Sequence, residues 1–243
     1  MPPKPKARIP QTGRTAVPKQ TLVLALGGAA VLAAVAVILS VVLSGGGKKH
    51  VTVDGDISAV AGIQQHGLVL GSPLARVTLT EYIDTSCPVC RDYVLNTFPA
   101  ISQEYVRAGK VKVEARVIAF VGPSSERGRQ LVLAAALQNK AWQLTELIYH
   151  NQGDEKTKWL ADDLVRALAA KIPGLDVSKL FADSVTQAVK DEAVQMDSEA
   201  QSDGVGGTPT FVLTTPDGKR HLLGAGSPGT EQFRTRLDKA LAG

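Results

Sequence analysis

The chain has 243 residues, room for one or two domains, and its 44% hydrophobic content supplies an ordinary core. Aromatics make up 5%, so Leu, Val and Ala must fill most of that core. The formal net charge of +4 is misleading, because residues 1–20 hold five bases (Lys4, Lys6, Arg8, Arg14, Lys19) and no acids. The remaining residues carry 22 bases against 23 acids, which excludes a general attraction to nucleic acid.

Residues 1–20 also contain five of the thirteen prolines and almost nothing apolar. This composition predicts a disordered, cytoplasmic tail. Then comes "LVLALGGAAVLAAVAVILSVVL", residues 22–43, with no charge. As a helix it would extend roughly 33 Å at 1.5 Å per residue, enough to cross a bilayer. Residues 21–44 are therefore expected to be a transmembrane anchor in the lipid bilayer. A cleaved signal peptide is the rival, but its apolar region is usually about 7–15 residues, and "AVA" at 34–36 sits inside the run. The excess of bases before the span predicts a cytoplasmic amino terminus and an extracytoplasmic domain, on a single-pass cell-membrane protein. Residues 45–59, opening on "GGGKK", read as a linker. Outside the cytosol, disulfide chemistry is permitted.

The outer domain is expected over 60–243. "ARVTLTEYID" (75–84) alternates as a strand, with Val77, Leu79, Glu81 and Ile83 on one face. Residues 87–108 read as a helix with Cys90, Val94, Phe98, Ile101 and Tyr105 near one face, kinked by Pro99. Residues 110–120 read as a second strand. Residues 124–202 offer no strand. They suggest one broken or two separate helices over 125–151, an amphipathic helix in "KTKWLADDLVRALAAK", then a short helix and a longer one ending near Gly204. "TFVLT" (210–214) and "KRHLL" (219–223) flank "TPDG" as a hairpin, and an amphipathic helix closes the chain. A helix between the first two strands makes them parallel. The fold class is α/β, with a helical insertion at about 124–203.

Both cysteines of the chain, Cys87 and Cys90, follow the first strand as C-x-x-C. That spacing lets the sulfurs meet within one helical turn, an arrangement suited to redox exchange. Cys87 would sit at the helix start, where free N–H groups favour a thiolate, and Pro88 suits a first turn that needs no N–H. Three other readings compete. A zinc site lacks further ligands, since His50, His66, His150 and His221 show no ligand spacing. A structural disulfide closing so small a loop would constrain the unfolded chain little. A relict pair on a binding module is the third.

These motifs resemble the DsbA-like branch of the thioredoxin superfamily. The resemblance rests on "LTEYIDTSCPVC", the helical insertion and "GVGGTPTFVL" (204–213), and covers roughly residues 60–241. It implies a thioredoxin-like fold with an inserted helical subdomain. It implies that Pro209 is cis beside the cysteines, and that Thr208 offers backbone groups to a substrate peptide. It makes Glu81 a buried acid that relays protons for Cys90, against the plainer reading of a solvated strand-end carboxylate. Strong oxidants of this family carry a His between the cysteines. Here Pro88 and Val89 stand instead, which implies a less stabilised thiolate and a weaker oxidant. The expected function is disulfide donation to exported cysteine-containing proteins, with a membrane oxidase recycling the pair and no cofactor or metal. The alternatives are a reductase, for example of apocytochromes, and a non-enzymatic peptide-binding module. An isomerase would need a dimerisation domain, for which residues 50–74 are too short.

Overall fold

A computed structural model describes residues 51–242. The expected tail (1–20), the anchor (21–44) and the first part of the linker lie outside the described residues. Among the described residues, no helix is long and apolar enough to cross a membrane.

The centre of the sheet is β3 (Val77–Ile83), paired in parallel with β4 (Val111–Val117) from Val77↔Val111 to Ile83↔Val117. On its other edge β3 pairs antiparallel with β5 (Thr210–Thr214), which turns back into β6 (Arg220–Ala225). Two strands missed by sequence reading complete the sheet: β1 (Gln65–His66) and β2 (Val69–Leu70), the latter antiparallel to β4. At two residues each they are too short for an alternation signal, and only the turn at Gly67 (φ 59°) betrays them. The six strands run in the order β1-β2-β4-β3-β5-β6.

The expected helix at 87–108 is a continuous right-handed run built of α1 (Pro88–Asp92), a π stretch (Tyr93–Thr97), α2 (Phe98–Ile101) and a second π stretch (Ser102–Val106). The first π stretch ends just ahead of α2, where Pro99 supplies no N–H, so the irregularity falls where the proline predicts one. The inserted block holds α3 (Ser125–Ala136), α4 (Ala141–His150), α5 (Asp162–Ala170), α6 (Val177–Ser184) and α7 (Gln187–Ser202); α8 (Thr230–Ala242) closes the chain. "KTKWLADDLVRALAAK" is helical only from Asp162, because Leu160 is tied down first: its N–H donates to Ser124 Oγ (3.3 Å) and its carbonyl accepts from Arg127 Nε (2.7 Å).

The few aromatics are concentrated where the helix starting at Cys87 meets the sheet. Tyr93 packs edge-on to Phe211 of β5 (4.7 Å between centroids), and Phe211 edge-on to Phe233 of α8 (4.8 Å). Phe98 stacks on Trp142 of α4 (5.4 Å). Those contacts fix the helix between sheet, C-terminal helix and insertion. β3 departs from simple alternation, since six of its seven residues are buried. Its second face is covered too, with Tyr82 packed near Ile118, Val212 and Ala200 of α7.

Residues 51–59, read as linker, are held against the domain. Asp54 N–H donates to Asn151 Oδ1 (2.8 Å) and Asn151 Nδ2 returns a bond to Asp54 O (3.0 Å). Lys171 Nζ donates to the carbonyls of Val53 (2.8 Å) and Gly55 (3.1 Å), while Val53 and Ile57 pack on the core. Four polar residues in nine (Thr52, Asp54, Asp56, Ser58) hide this docking from a composition reading.

The insertion also touches the cysteine loop. A Cβ at Gly128 in α3 would lie 1.9 Å from the buried Thr85 Oγ1. Gly128→Ala is therefore expected to destabilise the fold by about 1–3 kcal/mol, as overpacking does. Urea unfolding checks this; an unchanged midpoint would show that the loop yields freely.

Candidate active site

The loop from Asp84 to Cys87 is built by one buried carboxylate. Asp84 Oδ1 accepts the Ser86 N–H (2.8 Å), and Oδ2 accepts those of Phe120 (2.9 Å) and Val121 (3.0 Å), joining the end of β3 to the loop after β4. The Asp84 carbonyl accepts from Cys87 N–H (2.9 Å) and from the Tyr149 hydroxyl (3.0 Å). Gln152 Nε2 donates to the carbonyls of Thr85 (2.8 Å) and Cys87 (3.1 Å), and Arg91 Nε donates to Tyr149 O (2.9 Å). The end of α4 thus braces the loop from the insertion side. Sequence reading named none of Asp84, Tyr149 and Gln152. For Asp84 a local signal existed, since an Asp two residues before a Ser is an Asx-turn pattern. For the other two there was none, because they lie about sixty residues away.

Cys87 is the N-cap of α1 with extended backbone (φ −79°, ψ 118°), and Pro88 occupies the first helical turn, as expected. Both thiols are free. Cys87 Sγ accepts the Cys90 N–H (3.3 Å), and its S–H donates to the Thr208 carbonyl (3.3 Å). The Cys87 thiol is lowered to about 6. The hydrogen bond from the Cys90 thiol contributes most, burial opposes it, and the Thr208 side chain and the N–H groups of Cys90 and Val89 add to the lowering. Cys90, with no exposed surface, is pushed well above the ordinary thiol range by burial and then by the neighbouring Cys87 sulfur. The two thiols diverge in the direction that their places on the helix imply.

The Thr208–Pro209 peptide is cis, and Thr208 lies against Cys87 across a sequence gap of 121 residues. Val89 is 44% exposed, so the dipeptide between the cysteines presents an apolar surface and no charged donor. Glu81 is fully buried, not a solvated strand-end carboxylate. The Tyr93 hydroxyl donates to its Oε1, and burial raises its pKa to about 8, against the downward pull of that bond. Tyr93 is itself raised well above its ordinary range, by burial first, then by Glu81 and Cys90. It therefore stands electrostatically between the acid and the inner thiol. Among the described residues, no group of three or more His, Cys, Asp or Glu side chains is placed to hold a metal.

A dithiol at a helix start, divided into an acidic outer and a buried inner sulfur and facing a cis-proline loop, is the site of a thiol–disulfide oxidoreductase. The family model described as thioredoxin matches residues 64–238, and the chain belongs to that family. It is similar to the probable disulfide bond formation protein D of Bacillus cereus, with 29% identity over 155 residues, 61% of this chain and 72% of that protein. It is also similar to disulfide bond formation protein D of Bacillus subtilis (24% over 156 residues, 60% and 66%). Among solved structures, oxidised BdbD from Bacillus subtilis overlays with a TM-score of 0.64 at 20% identity, covering 74% of this chain and 98% of that one. DsbA of Chlamydia trachomatis overlays at 0.62 and 18% identity, covering 72% and 92%. The protein is a thiol–disulfide oxidoreductase with a helical insertion in a thioredoxin-like fold.

Proposed function

We propose that the protein donates disulfides to exported cysteine-containing polypeptides from a membrane-anchored position outside the cytosol. The observation that carries the direction is Cys87 Sγ at the helix start, accepting the Cys90 N–H (3.3 Å), which goes with a thiol lowered to about 6. Stabilising a thiolate stabilises the reduced pair, which makes the disulfide the more oxidising partner. The missing histidine is replaced in part by the Cys90 thiol, Thr208 and two backbone N–H groups. The names of the Bacillus relatives, disulfide bond formation proteins, support the same direction.

The reaction starts with a substrate thiolate attacking Cys87 Sγ. The Cys87–Cys90 bond breaks, and Cys90 leaves and takes a proton from Glu81. A second substrate thiolate attacks the substrate sulfur of the mixed disulfide, so the substrate is oxidised and Cys87 leaves as thiolate. Thr208 and Pro209 form the wall against which the substrate segment lies. A membrane oxidase then accepts the two electrons.

Equilibration with glutathione tests the direction. The expected reduction potential lies well above the roughly −270 mV of thioredoxin. A value at or below that level would turn the reading to a reductase, and failure to oxidise any dithiol peptide would leave a binding module. The anchor is supported by the uncharged residues 22–43 and the five bases before them. Protease added to spheroplasts should digest the domain and spare the amino terminus. A soluble mature form beginning near residue 37 would show a cleaved signal peptide instead.

A further inference from the structure

Glu81 has no exposed surface, yet a carboxyl that trades a proton with Cys90 at neutral pH needs a route to solvent. Its Oε1 is taken by the Tyr93 hydroxyl, and its Oε2 has no partner among the described residues. A cavity of about 10 Å³ lies against it, room for one water. Most of the lining is apolar, Ile83, Val94 and Phe98 included. Its other polar members, Thr145 and Glu146, both belong to α4. Glu146 is also buried with an unpartnered Oε2, and burial raises it to about 7. Two buried carboxyls, each with an idle oxygen and sharing one small cavity, are expensive to maintain for packing alone.

The outer side of Glu146 lies under the 51–59 segment. The Ala59 N–H favours its ionised form, and the exposed Asp56 opposes ionisation. Asp56 in turn feels His150 and Lys171, while Tyr93 is the titratable group hydrogen-bonded to Glu81. Glu146 therefore has one end in the cavity and the other near solvent.

We propose that Glu146 is the port through which Glu81 exchanges its proton with solvent, by way of water in the cavity and the Thr145 hydroxyl. Glu146 is a positioning residue in this scheme: it touches neither cysteine and acts through Glu81. The proposal rests on the reading that Glu81 serves Cys90. It concerns chiefly the closing of the disulfide. The Cys87 thiolate attacks an incoming disulfide R–S–S–R, releasing one R–S⁻ and leaving Cys87–S–S–R. Cys90 S–H gives its proton to ionised Glu81, and Cys90 S⁻ attacks Cys87 Sγ and expels the second R–S⁻. The protein loses two electrons and the small disulfide gains them. Near pH 7 Glu81 is mostly protonated, so it must first release a proton outward through Glu146 before it can accept that of Cys90.

The test mixes fully reduced protein with excess oxidised glutathione, quenches in acid, and follows the glutathionyl intermediate and the closed disulfide by mass spectrometry. Wild type is expected to close in a single phase whose rate rises with pH between 6 and 8.5. Glu146→Gln keeps the shape of the neutral carboxyl but cannot pass a proton. Its closing is expected to split into two phases at pH 7. The fast one has an amplitude of about a tenth, the fraction with Glu81 already ionised, and grows with pH. The slow one runs at least tenfold below wild type. Glu81→Gln is expected to close slowly, in one phase, at every pH. Thr145→Val supplies a second variant of the route, expected to split in the same way, and carries the test should Glu146→Gln fail to fold. Closing of Glu146→Gln in one phase, at the wild-type rate or uniformly slower with the same pH profile, would overturn the port. Wild-type-like closing in Glu81→Gln would remove Glu81 from the scheme and the port with it. A wild-type pair inert to oxidised glutathione would sink the exchange reading itself.

Discussion

Cys87→Ser is expected to abolish disulfide exchange, and Cys90→Ser to convert the protein into a trap for its substrates. The chain has no third sulfur of cysteine to take the place of Cys87, and a serine hydroxyl forms no disulfide. The loss should therefore reach the uncatalysed background in a dithiol-peptide oxidation assay. In Cys90→Ser the outer thiol still attacks a mixed or small disulfide, but no internal thiol resolves the product. Covalent complexes with cysteine-containing substrates should accumulate, visible as bands lost on reduction. The same division of labour governs alkylation of the reduced wild type. Cys87, lowered to about 6, is more than half thiolate at neutral pH; Cys90, buried and raised well above the ordinary range, is almost wholly protonated. Iodoacetamide at pH 7 should label Cys87 first, with a half-maximal rate near pH 6. Faster labelling of Cys90, or residual exchange in Cys87→Ser, would show that the helix start does not set the order of reactivity.

Glu81→Gln is expected to stabilise the oxidised protein at neutral and alkaline pH while slowing its chemistry. In the unfolded chain a Glu carboxyl ionises near 4.5; in the native chain burial holds Glu81 protonated up to about 8. Between those values the native state binds more protons than the unfolded one, so stability falls as pH rises through that window and levels off above it. At pH 7 the contribution amounts to about 3 kcal/mol of lost stability, roughly 1.4 kcal/mol for each pH unit above 4.5. Glu146, raised to about 7, adds a loss of the same sign over pH 4.5 to 7. Glutamine can accept the Tyr93 hydroxyl and has no charge to desolvate, so the variant should lose the Glu81 share of the slope. Urea unfolding of the oxidised form, in which neither cysteine titrates, isolates this effect. Parallel pH profiles for wild type and Glu81→Gln would mean that Glu81 ionises freely in the folded protein.

Much of the architecture was readable in the sequence because its signals are local. The alternation of "VTLT", the C-x-x-C opening a helix behind a Pro, and the "TPDG" turn each depend on a few neighbouring residues and on backbone preferences. From these follow the parallel β3–β4 pair, the helical block between the two halves of the sheet, the closing hairpin and the division between an outer and an inner thiol. The burial of Glu81 was half legible: its strand neighbours of the same face are apolar, but apolar neighbours alone do not decide whether water reaches a carboxylate. That was decided by Tyr93 and by α4, which pack over it from two different parts of the chain. The same holds for the loop around the cysteines. Asp84 gathers N–H groups from residues 86, 120 and 121, and Tyr149 and Gln152 approach from the insertion. Apart from the local Asp84–Ser86 bond, no periodicity records such contacts, because they join residues about 35 to 70 positions apart. The sequence alone thus determined which atoms can exchange electrons. Tertiary packing decided which of the two sulfurs ionises, where the proton is held, and what brings Thr208, 121 residues from Cys87, to the reacting sulfur, since desolvation and hydrogen bonding depend on neighbours that only the folded chain assembles.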